Sequence, residues 1–373
     1  MRCRSPDDAP ILVHIFLRGG ADGLSLVPPF ADDDYRSYRP TLGLSDPDAA
    51  GGALDLDGFF GLHPALSGVH TLWTEGGVTV LHGLGTDDTS RSHFQAQDRI
   101  EHAGAPGRDT GSGWLARHLH SRARTREAGP LTAIAFGRTL PESLRGAPSV
   151  TVLESLDELP RGPRPALASA LGSLYGAQPG PLGQAGGRTL DALSALDRLR
   201  DAEPPAGAWP ETRFGRQLRD LATLVRADVG LEIACLDLDG WDTHFVQDAL
   251  FTDLARQLGD GLLTLRQALG THWARTTVVV LSEFGRRVPE NGSLGTDHGR
   301  GGAGFVLGGT VSGSQVLADW PGLAPGGVLD AHDVPVTLDA RDVYAEVLCS
   351  ALGQPDLDAI LPGFEPRGIG VFG

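Results

Sequence analysis

Seven short runs rich in branched apolar residues are the feature that most constrains the fold of this chain. They span residues 11–17, 78–84, 131–136, 149–153, 231–238, 276–282 and 303–309. Runs that are apolar throughout, and not only at alternate positions, are typical of strands buried on both faces of a sheet. Helix-period stretches at 63–76, 212–227 and 246–269 lie between several of them. The alternation predicts an α/β fold with a mostly parallel central sheet sandwiched by helices.

The length of 373 residues is compatible with one large α/β domain that carries insertions. No internal repeat divides the chain, so we expect a single domain over 1–373. Residues 154–212 differ from the rest, because clusters of proline and glycine flank two expected helices. We interpret this stretch as an insertion or a cap over the main sheet.

The charged residues exclude several classes of function. The chain has 31 basic and 47 acidic residues and a net charge of −16, which disfavours a general affinity for nucleic acid or for an anionic membrane. Every basic residue is an arginine. Lysine Schiff-base chemistry, pyridoxal phosphate enzymes and the phosphate-binding P-loop all require the missing lysine amine.

The cysteines and the N-terminus bear on the cellular compartment. Cys3, Cys235 and Cys349 are far apart, which argues against a disulfide framework and a cysteine-built zinc site. The first apolar run is too short to span a membrane, and the residues before it lack the pattern of a signal peptide. We therefore expect a cytoplasmic protein that binds neither nucleic acid nor membrane, and any small anionic substrate must be captured by a local site and not by the overall charge.

Polar residues follow four of the seven apolar runs. The segments are 18–25 (RGGADGLS), 85–98 (GTDDTSRSHFQAQD), 239–244 (DGWDTH) and 283–287 (EFGRR). Ligands of parallel α/β sheets bind outside the carboxyl ends of the strands. We therefore expect the Asp, Glu, Ser, His and Arg side chains of these segments to meet at one edge of the sheet.

Two short acidic-histidine pairs are candidate metal ligands. Asp242 and His244 are separated by one residue just after a strand, so an extended segment can direct both at one cation. Asp297 and His298 lie in a glycine-rich segment, GTDHG. Each pair also has a purely structural interpretation, as a helix cap or as a tight turn with a solvent-facing histidine.

Two further carboxylates complete the set of candidate ligands. Asp22 lies in a glycine-rich turn after the first strand, where an ordinary strand-to-loop turn is the alternative. Glu283 directly follows an apolar run, and its burial is costly unless a cation or an arginine pairs with it. Metal sites of this kind collect carboxylates and imidazoles from several strands.

Ser92 is the candidate nucleophile, because it directly precedes an amphipathic helical stretch, where orphan backbone amides favour an anionic group. The competing interpretation is a capping box formed with Gln95. His93 is a candidate base or ligand, or else a surface residue of the first helical turn. Arg18, Arg91 and Arg286 stand beside these acidic groups in the sequence, and they either bind an anionic substrate or form structural ion pairs.

The motifs FLRGGADGLS, SRSHFQAQD, LDLDGWDTH, VVVLSEFGR and GTDHGRGGAGFVLGG, in this order, resemble the DUF1501 family. That family is assigned to the alkaline phosphatase and sulfatase-like superfamily, whose members carry a parallel-rich sheet and one or two divalent metals at its carboxyl edge. The resemblance implies Asp22, Asp242, His244 and His298 as ligands and Ser92 as the nucleophile. Glu283 and Phe284 stand where the phosphatase pattern has Asp-His, and the sulfatase signature around a modified cysteine is missing.

These observations lead to one main expectation and two alternatives. The chain is expected to be a metal-dependent hydrolase or transferase that uses zinc, manganese or magnesium and acts on a phosphate or sulfate ester or a related anionic group. One alternative is a protein with a degenerate site that binds a ligand or a partner without catalysis. The other is an enzyme that holds a redox metal with the same ligands.

Overall fold

The computed structural model describes residues 9–104, 110–123, 129–158, 165–199, 203–311, 313–329 and 332–372. Its strands are β1 (Ile11–Arg18), β2 (Leu54–Asp55), β3 (Gly61–Leu62), β4 (Val78–Gly85), β5 (Ala133–Phe136), β6 (Thr151–Leu153), β7 (Ile233–Asp239), β8 (Thr276–Leu281), β9 (Gly302–Gly308), β10 (Gln315–Leu317) and β11 (Leu338–Asp339). Its helices are α1 (Gly23–Leu26), α2 (Tyr35–Tyr38), α3 (Ser67–Thr74), α4 (His93–His102), α5 (Trp114–Ala123), α6 (Pro165–Gly176), α7 (Pro181–Leu199), α8 (Arg213–Arg226), α9 (Gln247–Leu269) and α10 (Ala340–Glu346).

The central sheet has the strand order β10-β4-β9-β8-β1-β7-β5-β6, and β11 pairs with β4. All of its strand pairs are parallel except the two that β9 forms with β4 and β8. The prediction of a mostly parallel sheet between helices is confirmed. Each of the seven apolar runs overlaps a strand, and the ends of the strand lie within two residues of the ends of the run.

The reversed direction of β9 decides which residues reach the functional edge. Parallel strands deliver to that edge the residues that follow them, whereas an antiparallel strand delivers the residues that precede it. The segment 297–301 leads into β9 and therefore lies beside the segments that follow β1, β4, β7 and β8. Five stretches of chain thus meet at one edge.

The core is divided between the two faces of the sheet. Val13 and Ile15 of β1 belong to a buried cluster with residues of α3, α8 and α9. Leu12 and Phe16 belong to a second cluster on the other face, together with Trp114 of α5 and residues of α10. Both faces of β1 are buried, which explains why its sequence is apolar without alternation.

Residues 154–212 include α6 and α7, which pack against each other. Ala192 and Leu196 of α7 join the larger buried cluster. Residues 159–164 and 200–202 lie outside the described part of the chain, and the assignment of this stretch as an insertion or cap stays a prediction. Within the ranges that the structure describes, no helix combines the length and the apolarity needed to span a bilayer.

Candidate metal centre

Three histidines and one aspartate converge at the carboxyl edge of the sheet. We call His93, Asp242, His244 and His298 the histidine cluster. Asp242 Oδ1 lies 3.0 Å from His298 Nε2 and 3.1 Å from His244 Nε2, and these two nitrogens are 3.0 Å apart. The Nε2 atom of His93 lies 3.6 Å from Asp242 Oδ2. All three imidazoles therefore present the same nitrogen to one carboxylate.

The other nitrogen of each imidazole faces an oxygen of the surrounding protein. His93 Nδ1 lies 2.8 Å from Glu283 Oε1, and His244 Nδ1 lies 3.5 Å from Asp297 Oδ1. His298 Nδ1 lies 3.0 Å from the carbonyl oxygen of Arg91. Metal-binding histidines are commonly oriented in this way, with the outer nitrogen donating to a carboxylate or a carbonyl.

These outer contacts determine which nitrogen of His298 carries the proton. A carbonyl oxygen only accepts hydrogen bonds, so Nδ1 of His298 must donate to Arg91. Burial lowers the pKa of His298, with the positive charge of Arg286 acting in the same direction, and this favours the neutral ring. In the neutral ring Nε2 then has a lone pair that faces the carboxylate of Asp242. Two lone pairs 3.0 Å apart repel unless a cation or a proton lies between them.

His93 presents a similar orphan atom. Its Nε2 is buried and has no hydrogen-bond partner among the described residues. The hydrogen bond to Glu283 raises the pKa of His93, so a proton competes with any cation for this ring. His93, Asp242 and His298 can each place one ligand atom within 4.8 Å of the others. Donor atoms around a zinc ion are about 3.3 Å apart, and the three imidazole nitrogens lie 3.0, 3.1 and 3.6 Å from the carboxylate oxygens of Asp242, so the residues fit a divalent metal.

Asp242 and Glu283 are both held in the ionised form. Burial alone would raise the pKa of Glu283, but hydrogen bonds from His93 and Gln97 lower it to about 2. Burial also opposes ionisation of Asp242, but the contacts of its carboxylate with His298 and with the positively charged Arg286 lower the pKa of Asp242 to about 2. Asp242 and Glu283 therefore both carry a negative charge near neutral pH, which favours a cation beside them.

Arg286 fixes the position of Asp242. Its guanidinium is fully buried and donates to Asp242 Oδ1 at 2.7 Å. Its remaining contacts are to backbone oxygens, among them those of Gly20 (2.6 Å), Thr296 (2.8 Å) and Trp241 (3.0 Å). All three nitrogens of this buried guanidinium donate to protein oxygens, so in this conformation Arg286 positions Asp242, and a role in substrate binding stays a prediction.

Gly19 allows β1, β7 and β8 to approach closely at this edge. Its backbone has φ = +120°, and a Cβ atom there would lie 2.5 Å from the backbone nitrogen of Asp242. Its N–H donates to Glu283 Oε1 at 3.0 Å. Only glycine tolerates both the positive φ and the lack of space for a Cβ atom, which gives the RGGADG motif a structural role.

The structure separates the predicted ligands into two groups. Asp242, His244 and His298 have donor atoms in the cluster, whereas Glu283 and Asp297 lie behind His93 and His244 and contact their outer nitrogens. Both carboxylates are therefore better described as orienting residues than as ligands. Their role in metal binding, direct or indirect, stays a prediction.

Asp22 lies outside the cluster. Its carboxylate is fully buried, forms an ion pair with Arg39 at 2.6 Å, and accepts hydrogen bonds from Ser25 (2.6 Å) and Gln247 (2.6 Å). These contacts lower the pKa of Asp22 although burial opposes this. Arg39 also donates to the second oxygen of Asp22 at 3.1 Å. With both oxygens occupied, we leave Asp22 out of the proposed ligand set.

The other two predicted substrate-binding arginines also form ion pairs. Arg18 contacts Glu101 (2.6 Å) and Asp237 (3.1 Å), and Arg91 contacts Asp333. The structural interpretation therefore describes both in this conformation. The carbonyl group of Arg91, not its guanidinium, contacts the cluster through His298.

Ser92 is the residue immediately before α4 and makes no side-chain capping hydrogen bond. The capping-box interpretation is therefore not supported, because the helix amides do not bind this hydroxyl. Its neighbours on both sides contact the cluster, Arg91 through its carbonyl and His93 through its ring. A nucleophilic role of Ser92 stays a prediction.

Sequence reasoning missed three residues around the cluster. Gln97 donates to Glu283 at 2.8 Å, and Asn291 donates to the carbonyl of His244 (3.0 Å) and to Asp297 (3.1 Å). The third is Arg300, two positions after His298; its side chain forms no ion pair or hydrogen bond with the described residues, and its Nε is buried without a partner. Its place in the GTDHGRGG motif was the only available signal.

A second acidic-histidine group lies outside this site. Asp98, His102 and Glu142 also place one ligand atom each within 4.8 Å of one another. Arg145 already pairs with Glu142 at 3.0 Å, and Asp98 is exposed. This group has no buried unpaired nitrogen, so the histidine cluster is the stronger candidate for a metal.

A family model described as "Protein of unknown function (DUF1501)" matches residues 73–348. This match covers the segments that supply His93, Asp242, His244 and His298. No curated protein matches the chain.

Several solved structures are similar to the chain over most of its length. The lipoteichoic acid synthase LtaP from Listeria monocytogenes has a TM-score of 0.43 and 9% identity, covering 97% of this chain and 76% of that one. The PsFucS1 sulfatase from Pseudoalteromonas sp. has a TM-score of 0.41 and 11% identity, covering 98% and 72%. The phosphonate monoester hydrolase of Agrobacterium radiobacter has a TM-score of 0.37 and 12% identity, covering 96% and 78%.

Proposed function

The chain belongs to the DUF1501 family of proteins of unknown function, and we propose that it is a metal-dependent hydrolase or transferase acting on a phosphate or sulfate ester or a related anionic group. The observation that carries this proposal is the convergence of three imidazole Nε2 atoms on Asp242, with His93 Nε2 buried and unpaired among the described residues. Its substrate class comes from the motif resemblance described above.

We assign the ligand role to the histidine cluster and the orienting roles to the residues behind it. Glu283 holds the ring of His93, and Arg286 holds the carboxylate of Asp242. A bound divalent cation supplies electrophilic charge to a non-bridging oxygen of the substrate and favours ionisation of a nucleophile. In this proposal Ser92, next to His93 at the start of α4, is the nucleophile that attacks the ester. The alternative nucleophile is a water molecule.

Arg300 is our candidate for binding the anionic group. The three arginines expected from the sequence are occupied by carboxylates, whereas the side chain of Arg300 has no hydrogen-bond or ion-pair partner in the described part of the chain. The backbone of Arg300 is tied to the end of β8, because its carbonyl accepts from Gly285 N at 2.8 Å. A guanidinium two residues from His298 suits the charge of a phosphate or sulfate.

Replacement of Arg300 by alanine is therefore expected to lower kcat/KM for an anionic ester about 10- to 100-fold, since a charge-assisted hydrogen bond contributes roughly 1.5–3 kcal/mol. Metal content should be unchanged. The control is Arg256→Ala, because Arg256 is an exposed arginine on the surface of α9 whose contact to Asp253 is 3.7 Å long. Equal activity of the two variants would remove Arg300 from the substrate site.

Elemental analysis and an ester screen test the proposed function. Purified protein is incubated with zinc, manganese or magnesium, desalted and analysed, and then assayed on aryl phosphate, phosphonate and sulfate esters. We expect retained metal and turnover that a chelator abolishes. The variant Ser92→Ala should reduce turnover and keep the metal if serine attacks. Retention of no divalent metal would refute the proposal and leave the non-catalytic alternative.

A redox-metal enzyme is the second candidate. The observation that favours it is the donor set, because three imidazoles and one carboxylate also suit iron, copper and nickel. Elemental analysis of protein purified without added metal identifies the ion that the chain carries. Iron or copper at one ion per chain, without ester turnover, would favour this candidate over the hydrolase.

A further inference from the structure

An exposed apolar surface borders the histidine cluster. Its members are Phe245, Val246, Leu250 and Leu294, with 68%, 60%, 56% and 54% of their surface exposed. We call these four residues the apolar platform. They come from the loop after β7, from the first turn of α9 and from the loop that carries Asp297. Large apolar side chains gathered at the rim of a polar site are typical of a ligand-binding surface.

Backbone strain accompanies this exposure. Val246 has φ = +45° and Leu294 has φ = +58°, in the left-handed region that L-residues, and β-branched ones above all, rarely adopt. Two hydrogen bonds join the strained segments, from Val246 N to Ser293 O (3.0 Å) and from Gln247 N to Leu294 O (2.8 Å). Strained residues that the surrounding structure holds in place concentrate at functional sites.

The platform lies within reach of a molecule held at the cluster. The ring centroid of Phe245 is 6.5 Å from that of His244, whose Nε2 is 3.1 Å from Asp242. Asn291 fixes this arrangement, because its side chain donates to the backbone carbonyl of His244 at 3.0 Å. A substrate whose anionic group lies at the cluster can therefore place its adjoining group beside Phe245.

We propose that the apolar platform binds the hydrocarbon part of the substrate, so that the enzyme acts on amphiphilic esters with an anionic head and an alkyl or aryl group. This inference rests on the proposed function. The occupant is a small molecule and not an anionic bilayer, because the net charge of −16 and the half-exposed carboxylates of Asp242 and Asp297 at the border repel such a surface.

Binding of n-alkyl phosphonates to the zinc-loaded protein, measured by isothermal titration calorimetry, tests the platform without requiring turnover. From methyl to octyl phosphonate we expect Kd to fall about two- to fourfold for each methylene that the platform covers. In Leu250→Ser and Phe245→Ser this dependence on chain length should flatten. The matched control is Leu182→Ser on α7, where a leucine is 69% exposed outside the platform; it should retain the wild-type dependence.

The outcomes separate this inference from the proposed function. If methyl phosphonate binds and chain length has no effect, or if the platform variants keep the wild-type dependence, the platform is refuted and the proposed function stands. If no phosphonate binds and no ester is turned over, both are refuted. Two other outcomes would overturn the inference, provided that the phosphonate series stays flat. If the protein binds neutral lipid vesicles and Leu250→Ser abolishes this binding, the platform contacts a membrane. If light scattering shows a dimer that Leu250→Ser abolishes, the platform contacts a second copy.

Discussion

Replacement of Asp242 by alanine is expected to lower metal affinity by at least about 100-fold and to reduce turnover to background. Asp242 is the residue on which all three imidazoles converge, and loss of an orienting partner alone typically costs 10- to 100-fold. Metal analysis after desalting and the initial rate on an ester measure the two effects. Their simultaneous loss is the expected signature of a ligand.

Two control variants distinguish the loss of a metal ligand from a general loss of folding and from a metal site elsewhere in the chain. Alanine leaves the buried guanidinium of Arg286 without its carboxylate, so Asp242→Asn, which retains an oxygen that accepts from Arg286, serves as a second variant. Asp98→Ala removes the exposed carboxylate of the second acidic-histidine group and should leave metal content unchanged. If the Asp98 variant loses the metal and the Asp242 variants retain it, the proposed centre is in the wrong place.

Replacement of Asp22 by alanine is expected to destabilise the fold by about 3–5 kcal/mol, because it leaves the buried charge of Arg39 without a partner. The folded fraction should still bind metal with the wild-type stoichiometry. Urea unfolding followed by circular dichroism measures the first effect, and metal analysis below the transition measures the second. The motif resemblance predicts the opposite result, a folded protein without metal.

A double variant distinguishes a structural pair from a ligand. Asp22→Leu combined with Arg39→Met removes both charges and keeps a similar volume, so most of the lost stability should return. Metal content should again match the wild type. A stable double variant that has lost its metal would place Asp22 in the ligand set after all.

The apolar runs predicted most of the sheet because a strand that is buried on both faces has apolar side chains at nearly every position. The antiparallel direction of β9 was not predicted, since a fully buried strand is apolar throughout whether it runs parallel or antiparallel to its neighbours. The two- and three-residue strands β2, β3, β10 and β11 were missed as well. They are too short to show a period, and their positions depend on what they pair with.

The sequence also indicated the segments that build the site, because polar residues after buried strands must lie at the sheet edge. It did not separate ligands from orienting residues. Glu283 and Asp242 both look like ligands after a strand, yet Glu283 is fully buried behind His93 and Asp242 faces three imidazoles. The difference lies in side-chain direction, which distant contacts determine.

Residue type and order alone therefore determined a parallel-rich sheet, the edge at which its polar residues meet, and a pool of carboxylates, histidines and arginines able to bind a cation. The tertiary structure alone decided how that pool is divided. Arg39 is 17 positions from Asp22 and occupies both of its oxygens, and Glu283 is 190 positions from His93 and orients its ring. In the proposed centre, the segment SEFGRRVPENGSLGTDHGRGG thus supplies one ligand, His298, together with Glu283, Arg286 and Asp297 as residues that position the others, because each pairing joins residues that only the folded chain brings together.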